Sequence, residues 1–154
     1  MTDLPASITV SNLRDECHFA STIADRGWSA WWTESDVTLT DYLRGVQIMC
    51  EGEGIPCAFV AHAGQQYAGS VLLIADDLES RPTYTPWIAA LWVEPAFRRQ
   101  GVAARLLQAA RNESMRLGHG VTYLCAIPSK CPYYLARGFR VVERDVEDMN
   151  VLAI

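Results

Sequence analysis

The sequence lacks any run that approaches the roughly 18 apolar residues needed to cross a bilayer, so no membrane partner is predicted. Its first ten residues carry Asp3 and lack a basic start followed by an apolar stretch, so a secretory signal is not expected. Basic residues are also few, because 13 Lys and Arg stand against 18 Asp and Glu for a net charge of −5. Nucleic-acid binding needs a basic surface, so no nucleic-acid partner is predicted, whereas a cationic substrate suits this charge.

The sequence offers little metal or disulfide chemistry. The number of cysteines is odd, and none lies in a Cys-x-x-Cys pair: they are Cys17, Cys50, Cys57, Cys125 and Cys131. These spacings disfavour a disulfide framework and a cysteine metal site, and they favour reduced thiols in a cytoplasmic protein. The three histidines share no spacing with one another or with the cysteines, and they are interpreted as structural.

Internal repeats, low-complexity tracts and linkers rich in Pro, Gly or Ser are absent, which predicts that residues 1–154 form a single domain. Hydrophobic residues make up 50% and charged residues 20%, as in soluble proteins with a substantial core. Helices are predicted near the start, followed by a hairpin and then by strands alternating with helices. This order predicts a mixed α+β fold (α/β mixed), with a central, mostly antiparallel sheet flanked by helices.

Hydrophobic periodicity and turn residues define the expected elements. Strands are predicted at Ile8–Ser11, Cys57–Ala63, Gln66–Ala75, Trp87–Val93, Val121–Ala126, Phe139–Glu143 and Met149–Ile154. One helix is predicted over residues 15–32, with an interruption at Gly27, and a second is predicted to begin after a cap at Thr38 or Thr40. Two more helices are predicted over Gly101–Leu117 and Cys131–Arg137. Gly118 is predicted to cap the third of these helices.

The most informative stretch joins the apolar strand Trp87–Val93 to the run Arg98-Arg-Gln-Gly-Val-Ala-Ala104, which opens a helix. The first helical turn leaves backbone N–H groups without intrahelical partners, at the positive end of the helix dipole. Such a helix start binds pyrophosphate well. Gly101 would let the backbone approach the phosphates, and the nearby arginines Arg98, Arg99 and Arg105 would add charge-assisted contacts.

Two motifs resemble those of the GNAT superfamily of N-acetyltransferases. The run Arg98-x-x-Gly101-x-Ala103 is similar to the family's acetyl-CoA motif of Gln or Arg, two residues, Gly, one residue, then Gly or Ala. The downstream run Tyr133-Tyr134-Leu-Ala-Arg-Gly138-Phe139 resembles the family's Tyr-x-x-x-Gly-Phe ending. With the order of elements, the resemblance covers nearly the whole chain and implies a GNAT-type acyl-CoA N-acyltransferase fold. Arg99 departs from the pattern, because many members have Gly there.

The resemblance implies acetyl-CoA as cosubstrate, with no metal. Backbone groups of the strand end would pair with the pantetheine arm where the fourth and fifth strands splay apart, and one N–H near Val93 would meet the oxyanion. Amides of the helix start would hold the pyrophosphate. The coenzyme-binding candidates are Leu91, Trp92, Val93, Arg98, Arg99, Gln100, Gly101, Val102, Ala103 and Ala104. Tyr134 matches the tyrosine that donates a proton to the departing thiolate.

The resemblance also implies transfer of the acetyl group to a primary amine of a small molecule or peptide. Direct attack within a ternary complex is expected, because no cysteine is placed as a nucleophile. The substrate-binding candidates are Asp76, Asp77, Tyr84 and Trp87, and the general base is left open among Asp76, Asp77, Glu79 and Glu94. Two other functions stay open: a non-catalytic acyl-CoA-binding regulatory module, and an acyltransferase that uses another acyl chain. A homodimer is also left open.

Overall fold

The computed structural model describes residues 7–154, and residues 1–6, part of the segment for which no secretory signal was predicted, lie outside them. The strands are β1 (Thr9–Asn12), β2 (Cys57–Ala63), β3 (Gln66–Ile74), β4 (Trp87–Val93), β5 (Tyr123–Ala126), β6 (Arg140–Val146) and β7 (Met149–Ala153). The helices are α1 (Ala20–Trp31), α2 (Leu39–Ile48), α3 (Val102–Arg116) and α4 (Cys131–Leu135). Within these residues, no helix has the length and apolarity that a membrane crossing requires.

All seven strands belong to one sheet in the order β1-β2-β3-β4-β5-β7-β6. Neighbouring strands are antiparallel except β4 and β5, which run parallel. The predicted mixed, mostly antiparallel sheet with flanking helices is therefore confirmed. The parallel pair is joined by α3, as a parallel connection requires.

The helices cover both faces of the sheet. On one face, α1 buries Ile23, α2 buries Val46 and the turn before α1 buries Phe19 against side chains of β2 and β3. On the other face, α3 buries Leu106 and Ala110 against β3, β4 and β5. The sheet thus has an α1/α2 face and an α3 face. A ligand that lies between two strands would therefore contact different side chains on its two sides.

Local sequence explains where the helices begin and end. At the start of α2, the Thr38 hydroxyl accepts a hydrogen bond from the Asp41 amide at 3.1 Å, and the Asp41 carboxylate accepts one from the Thr38 amide at 3.4 Å. This capping box decides between the two threonines. At the end of α3, Gly118 has a φ of 93°, and the His119 amide donates to the Ser114 carbonyl at 3.0 Å. The predicted cap at Gly118 is confirmed.

The predicted break at Gly27 is wrong, because α1 continues through this residue. A Cβ at Gly27 would overlap the Tyr42 hydroxyl of α2, so the glycine permits close packing of the two helices. Element ends also differ from the predictions: β5 begins at Tyr123, and β6 continues to Val146. Both differences reflect pairing with β7, which the local pattern does not encode.

The prediction that all the cysteines are reduced is also contradicted. Cys17, just before α1, and Cys50, just after α2, form a disulfide with their Cα atoms 5.8 Å apart. The two residues are separated by 33 positions, so only the antiparallel packing of α1 and α2 brings them together. The disulfide closes the end of this helical pair opposite the Trp31 and Trp32 end of α1.

Candidate active site

The start of α3 presents a row of free backbone donors. The first intrahelical bond is donated by the Arg105 amide to the Gly101 carbonyl at 3.2 Å. Within residues 7–154, the amides from Arg99 to Ala104 have no hydrogen-bond partner. These amides and the positive end of the helix dipole form a site suited to a pyrophosphate, as the sequence predicts.

The loop before α3 needs left-handed backbone at two positions. Gly101 has a φ of 78°, and a Cβ there would meet no atom within 4 Å, which leaves its outer side open. Arg99 has a φ of 64°. Arg99 stands where many members of the family that this sequence resembles have Gly, and it adopts the conformation that glycine adopts most readily.

The side chains of this loop do not all face the free amides. The Arg98 Nε donates to the Val93 carbonyl at 2.9 Å, and its guanidinium lies 5.0 Å from the centroid of the Trp92 ring. The Arg105 Nη1 donates to the Ile8 carbonyl at 2.8 Å, which ties α3 to the segment before β1. Both guanidinium groups are therefore engaged in contacts within the protein, whereas the Arg99 side chain is exposed. The phosphate contacts of the three arginines stay predictions.

Strands β4 and β5 separate beside this loop. Their only paired residues are Trp87 and Tyr123. Ala90 has a φ of 52° and lies in a bulge, because the register to β3 shifts between Ser70 and Leu72. A bulge bends a strand, so β4 turns away from β5 after this point. The predicted splay of the fourth and fifth strands is present, and it leaves an open slot along β4.

The backbone of β4 faces two directions after the bulge. The Trp92 carbonyl faces β3, because a Cβ at Gly69 would lie 2.6 Å from its oxygen. Successive residues of a strand turn their N–H and C=O groups to opposite edges, so those of Leu91 and Val93 face the slot. The backbone of Trp92 is thus not available to a ligand in the slot, and its side chain packs on the α1/α2 face instead.

Tyr134 approaches the slot from the α3 face. Its ring packs edge-on against Tyr133 and Phe139, with centroid distances of 5.3 and 5.7 Å. Burial raises the pKa of its phenol, and nearby Tyr133, Cys125 and Cys131 raise this pKa further. Its hydroxyl has no hydrogen-bond partner among the described residues, so Tyr134 is a protonated phenol with a free O–H beside β5.

Asp77 approaches the slot from the other face. Its carboxylate accepts a hydrogen bond from the Cys125 thiol of β5, with Sγ and Oδ2 3.2 Å apart. The residue as a whole is exposed, but desolvation of the carboxyl group raises its pKa, the Cys125 hydrogen bond opposes this, and the Glu147 charge adds to it. Asp77 also lies near α2, since its charge, after burial, helps raise the pKa of Tyr42 to about 12.

Glu94 is held in an ion pair. Its carboxylate accepts hydrogen bonds from the Arg26 Nε at 2.5 Å and from the Trp92 indole at 3.0 Å. Desolvation alone would raise the pKa of Glu94, but these two donors and the Arg26 charge lower it below its usual value. A carboxylate that is stabilised in its charged form is a weaker proton acceptor, so Glu94 is a poor candidate for the base.

The other acceptor-side candidates occupy different positions. Trp87 is 0% exposed, and its indole donates to the Tyr84 carbonyl at 2.6 Å. Tyr84 stacks on Tyr123 with centroids 4.7 Å apart, and its hydroxyl donates to Glu143. Both aromatic side chains are thus engaged in packing, and Trp87 offers no exposed surface to an acceptor. Asp76 is exposed.

No cysteine of the described residues is suited to attack a thioester. Burial raises the pKa of Cys57 to about 11, and burial together with Asp77 raises that of Cys125 further. Cys131 is buried, and its thiol faces the Ala126 and Ile127 carbonyls. The described residues also contain no group of three or more His, Cys, Asp or Glu that would hold a metal ion.

Sequence reasoning interpreted Trp31 and Trp32 as packing residues and did not place them beside Trp92. Trp31 of α1 is 50% exposed and lies edge-on to Trp92, with ring centroids 6.3 Å apart. Trp32 packs beside Tyr42 of α2. The sequence signals that Trp31 and Trp32 are aromatic residues near a helix end, but only the fold places them next to Trp92.

Two surface cavities lie away from the slot. The larger, of about 300 Å³, lies between the end of α3 and the C-terminal Ile154. The smaller, of about 180 Å³, runs along α3 from Ala104 to Gln108 and is bordered by Arg137. Neither cavity is lined by β4, and the smaller one adjoins the start of α3 at Ala104.

Comparisons with known proteins agree with this geometry. The family model described as acetyltransferase (GNAT) domain matches residues 55–141, which include β2 to β5, α3 and α4. The sequence matches no curated protein.

Solved structures share the fold at low sequence identity. The aminoglycoside N-acetyltransferase AAC(6')-Iy in complex with CoA is 16% identical with a TM-score of 0.74, over 95% of this chain and 96% of that chain. A putative acetyltransferase from Salmonella typhimurium with acetyl-CoA is 15% identical with a TM-score of 0.70, over 96% and 93%. An acyl-CoA N-acyltransferase from Pseudomonas aeruginosa is 18% identical with a TM-score of 0.67, over 96% and 99%.

The family match covers more than half of the chain and includes the free amides, the slot and Tyr134. The solved neighbours extend the same fold over nearly the full length. The chain belongs to the GNAT family of acetyltransferases.

Proposed function

We propose that this protein transfers the acetyl group of acetyl-CoA to a primary amine by direct attack in a ternary complex. The observation that carries the proposal is the pairing of two features: six free amides from Arg99 to Ala104, and an open slot between β4 and β5. The first suits a pyrophosphate and the second suits an extended pantetheine arm that pairs like an added strand. Because the free amides adjoin the slot, a coenzyme held there by its pyrophosphate would extend its thioester between β4 and β5.

Backbone groups of β4 would hold the arm and the reacting carbonyl. Leu91 and Val93 face the slot, whereas Trp92 contributes through its side chain on the α1/α2 face. The Val93 N–H would donate a hydrogen bond to the oxyanion that forms during attack. One such preorganised donor stabilises a transition state by about 3 kcal/mol.

Tyr134 would protonate the sulfur that leaves. Its hydroxyl is free, half-buried and beside β5, and burial keeps the phenol protonated at neutral pH. The thiolate of the coenzyme gains a proton as the C–S bond breaks, and a positioned phenol supplies it. Direct transfer is favoured over an acyl-cysteine, because the thiols of Cys57 and Cys125 have raised pKa values.

The acceptor class follows from the α1/α2 face. Trp31 and Trp92 form an aromatic wall there, and Asp77 supplies a carboxylate near the slot. Aromatic faces and carboxylates both attract organic cations. We therefore propose a cationic primary amine as the acceptor, and an aminoglycoside, the class named for one structural neighbour, is one member of that class.

The test measures release of coenzyme A thiol from acetyl-CoA with a library of primary amines that includes aminoglycosides, polyamines, amino acids and short peptides. Amine-dependent release by the wild-type protein supports the proposal. Tight coenzyme binding without any amine-dependent release identifies a non-catalytic acyl-CoA-binding module. Stronger competition by a longer acyl-CoA than by acetyl-CoA identifies another acyl donor.

A further inference from the structure

Asp77 and Tyr134 lie on opposite faces of the slot and both lie near Cys125. Cys125 belongs to β5 two residues beyond Tyr123, which is the only β5 residue paired with β4, so it lies where the strands separate. Its thiol donates to Asp77, and its proximity is one cause of the raised pKa of Tyr134. Cys125 packs against the buried side chains around Trp87 and Val151, which adjoin the α1/α2 face through Ile74. Tyr134 packs instead against the core beneath α3.

We infer that Asp77 is the general base, which takes a proton from the acceptor amine on the α1/α2 face, and that the Cys125 thiol positions its carboxylate. This inference rests on the proposed function. The amine would reach the thioester from the face that carries Trp31, Trp92 and Asp77, because α3 and Tyr134 cover the other face. The base and the acid would then act from opposite sides of the reacting carbon.

The proton balance needs both groups. The ammonium form of the acceptor gives one proton to Asp77, and its nitrogen lone pair then forms the bond to the thioester carbon. The C–S bond breaks, the sulfur keeps the electron pair and gains a proton from Tyr134, and the nitrogen loses its second proton. Tyr134 recovers a proton, so of the two protons lost by nitrogen one ends on sulfur and one in solvent.

The surroundings of Asp77 favour its protonated form more than water does, which makes its carboxylate a better proton acceptor. Cys125 of β5 donates a hydrogen bond to its carboxyl group, and two other titratable groups lie near enough to interact with its charge: Glu147 of the β6–β7 turn and Tyr42 of α2. Desolvation and the Glu147 charge raise the pKa of Asp77, while the Cys125 hydrogen bond lowers it. A carboxylate with a raised pKa accepts a proton more readily than one in water. Glu94, by contrast, is held charged by Arg26.

The experiment compares two amines of similar shape. Phenethylamine is protonated at pH 7, whereas O-benzylhydroxylamine is already neutral and needs no base to expose its lone pair. We expect Asp77→Asn to lower kcat with phenethylamine by about 100-fold, the scale of one proton-transfer group. With O-benzylhydroxylamine the same variant should lose less than about tenfold. Asp148→Asn, which removes an exposed charge from the β6–β7 turn, is the control and should behave as wild type.

Two further variants should move the acidic limb of the pH–rate profile in opposite directions. Glu147→Gln removes a negative charge near Asp77, so the pKa of Asp77 falls and the limb moves to lower pH. Cys125→Ala removes the thiol donor, so this pKa rises and the limb moves to higher pH. The limb itself should disappear in Asp77→Asn, because no base remains to be protonated.

Other outcomes would overturn the inference. An equal loss of kcat with both amines shows that Asp77 only positions the acceptor, and a rise of KM alone shows that it only attracts the cation. An unchanged limb in Glu147→Gln and Cys125→Ala assigns the titration to another group. A wild-type protein that binds acetyl-CoA but releases no thiol with either amine or with the library contradicts the proposed function itself, and the inference with it.

Discussion

The two halves of this molecule differ in charge and in the atoms they offer to ligands. Residues 7–87 contain 11 Asp and Glu against 4 Arg, whereas residues 88–154 contain 6 against 9 Arg and Lys. The acidic half supplies α1, α2 and Asp77, and the basic half supplies α3, Tyr134 and the free amides. Under the proposed function, a cationic acceptor and an anionic coenzyme would meet at the boundary between oppositely charged regions.

The halves also differ in how they bind. The basic half offers backbone N–H groups, which are fixed by the start of α3 and by left-handed backbone at Arg99 and Gly101. The acidic half offers side chains from separate elements, such as Trp31 of α1 and Asp77 of the loop after β3. Coenzyme binding should therefore be sensitive to backbone geometry, and acceptor binding should be sensitive to single side chains.

The largest effect is expected at the coenzyme side. Gly101→Glu places a negative charge beside the free amides and strains a φ of 78°, and like charges in contact cost several kcal/mol. Affinity for CoA in calorimetry should fall by more than about 100-fold. Gly120→Glu, an exposed glycine with no atom near its Cβ position, is the matched control. Retained affinity in Gly101→Glu would remove the helix start from the coenzyme site.

Removal of the Cys17–Cys50 disulfide tests how much this bond stabilises the pair of helices α1 and α2. Cys50→Ser should lower the free energy of unfolding by about 2–4 kcal/mol, because the Cys17–Cys50 bond constrains the unfolded chain. Denaturant unfolding measures this change, and a reducing agent should abolish the difference between variant and wild type. Equal stability under oxidising conditions would show that the two thiols are not bonded in solution.

Substitution of Tyr134 tests the chemical step separately from coenzyme binding. Tyr134→Phe should lower kcat by about 100-fold and leave the affinity for CoA unchanged, since only the proton donor is lost. Because burial raises the pKa of Tyr134, wild-type activity should persist on the alkaline side beyond about pH 10, the ordinary tyrosine value. The control is Tyr133→Phe, whose ring lies under the Arg137 guanidinium. An unchanged kcat in Tyr134→Phe would exclude it as the acid.

The smallest effect is expected at the aromatic wall. Trp31→Ala should raise KM for a cationic amine by about fivefold, the scale of one exposed cation–π contact of about 1 kcal/mol. The affinity for CoA should not change, because Trp31 lies on the α1/α2 face. Met115→Ala, an equally exposed apolar residue of α3, is the control. A change in CoA affinity with unchanged KM would contradict the division of the site into two faces.

The same division explains what the sequence could predict. The strand Trp87–Val93, the start of α3 and the cap at Gly118 follow from local patterns, because glycine and small residues mark special backbone geometry. The Asp77–Cys125 hydrogen bond and the Trp31–Trp92 contact join residues 48 and 61 positions apart, so no local pattern encodes them. The Cys17–Cys50 bond was missed for the same reason.

The internal contacts of the arginines were also beyond local reasoning. Arg98 and Arg105 look like phosphate ligands in the sequence, but nearby carbonyl groups of Val93 and Ile8 compete for their guanidinium groups. An arginine near a helix start therefore has to be assigned from its acceptors, whereas the free backbone amides follow from the helix start itself.

A crystal structure of the wild-type protein with acetyl-CoA tests the central claim most directly. We predict pyrophosphate oxygens at hydrogen-bond distance, about 3 Å, from amides between Arg99 and Ala104, with the thioester lying between β4 and β5. Coenzyme bound elsewhere on the surface, with those amides left free and the slot empty, would contradict the account.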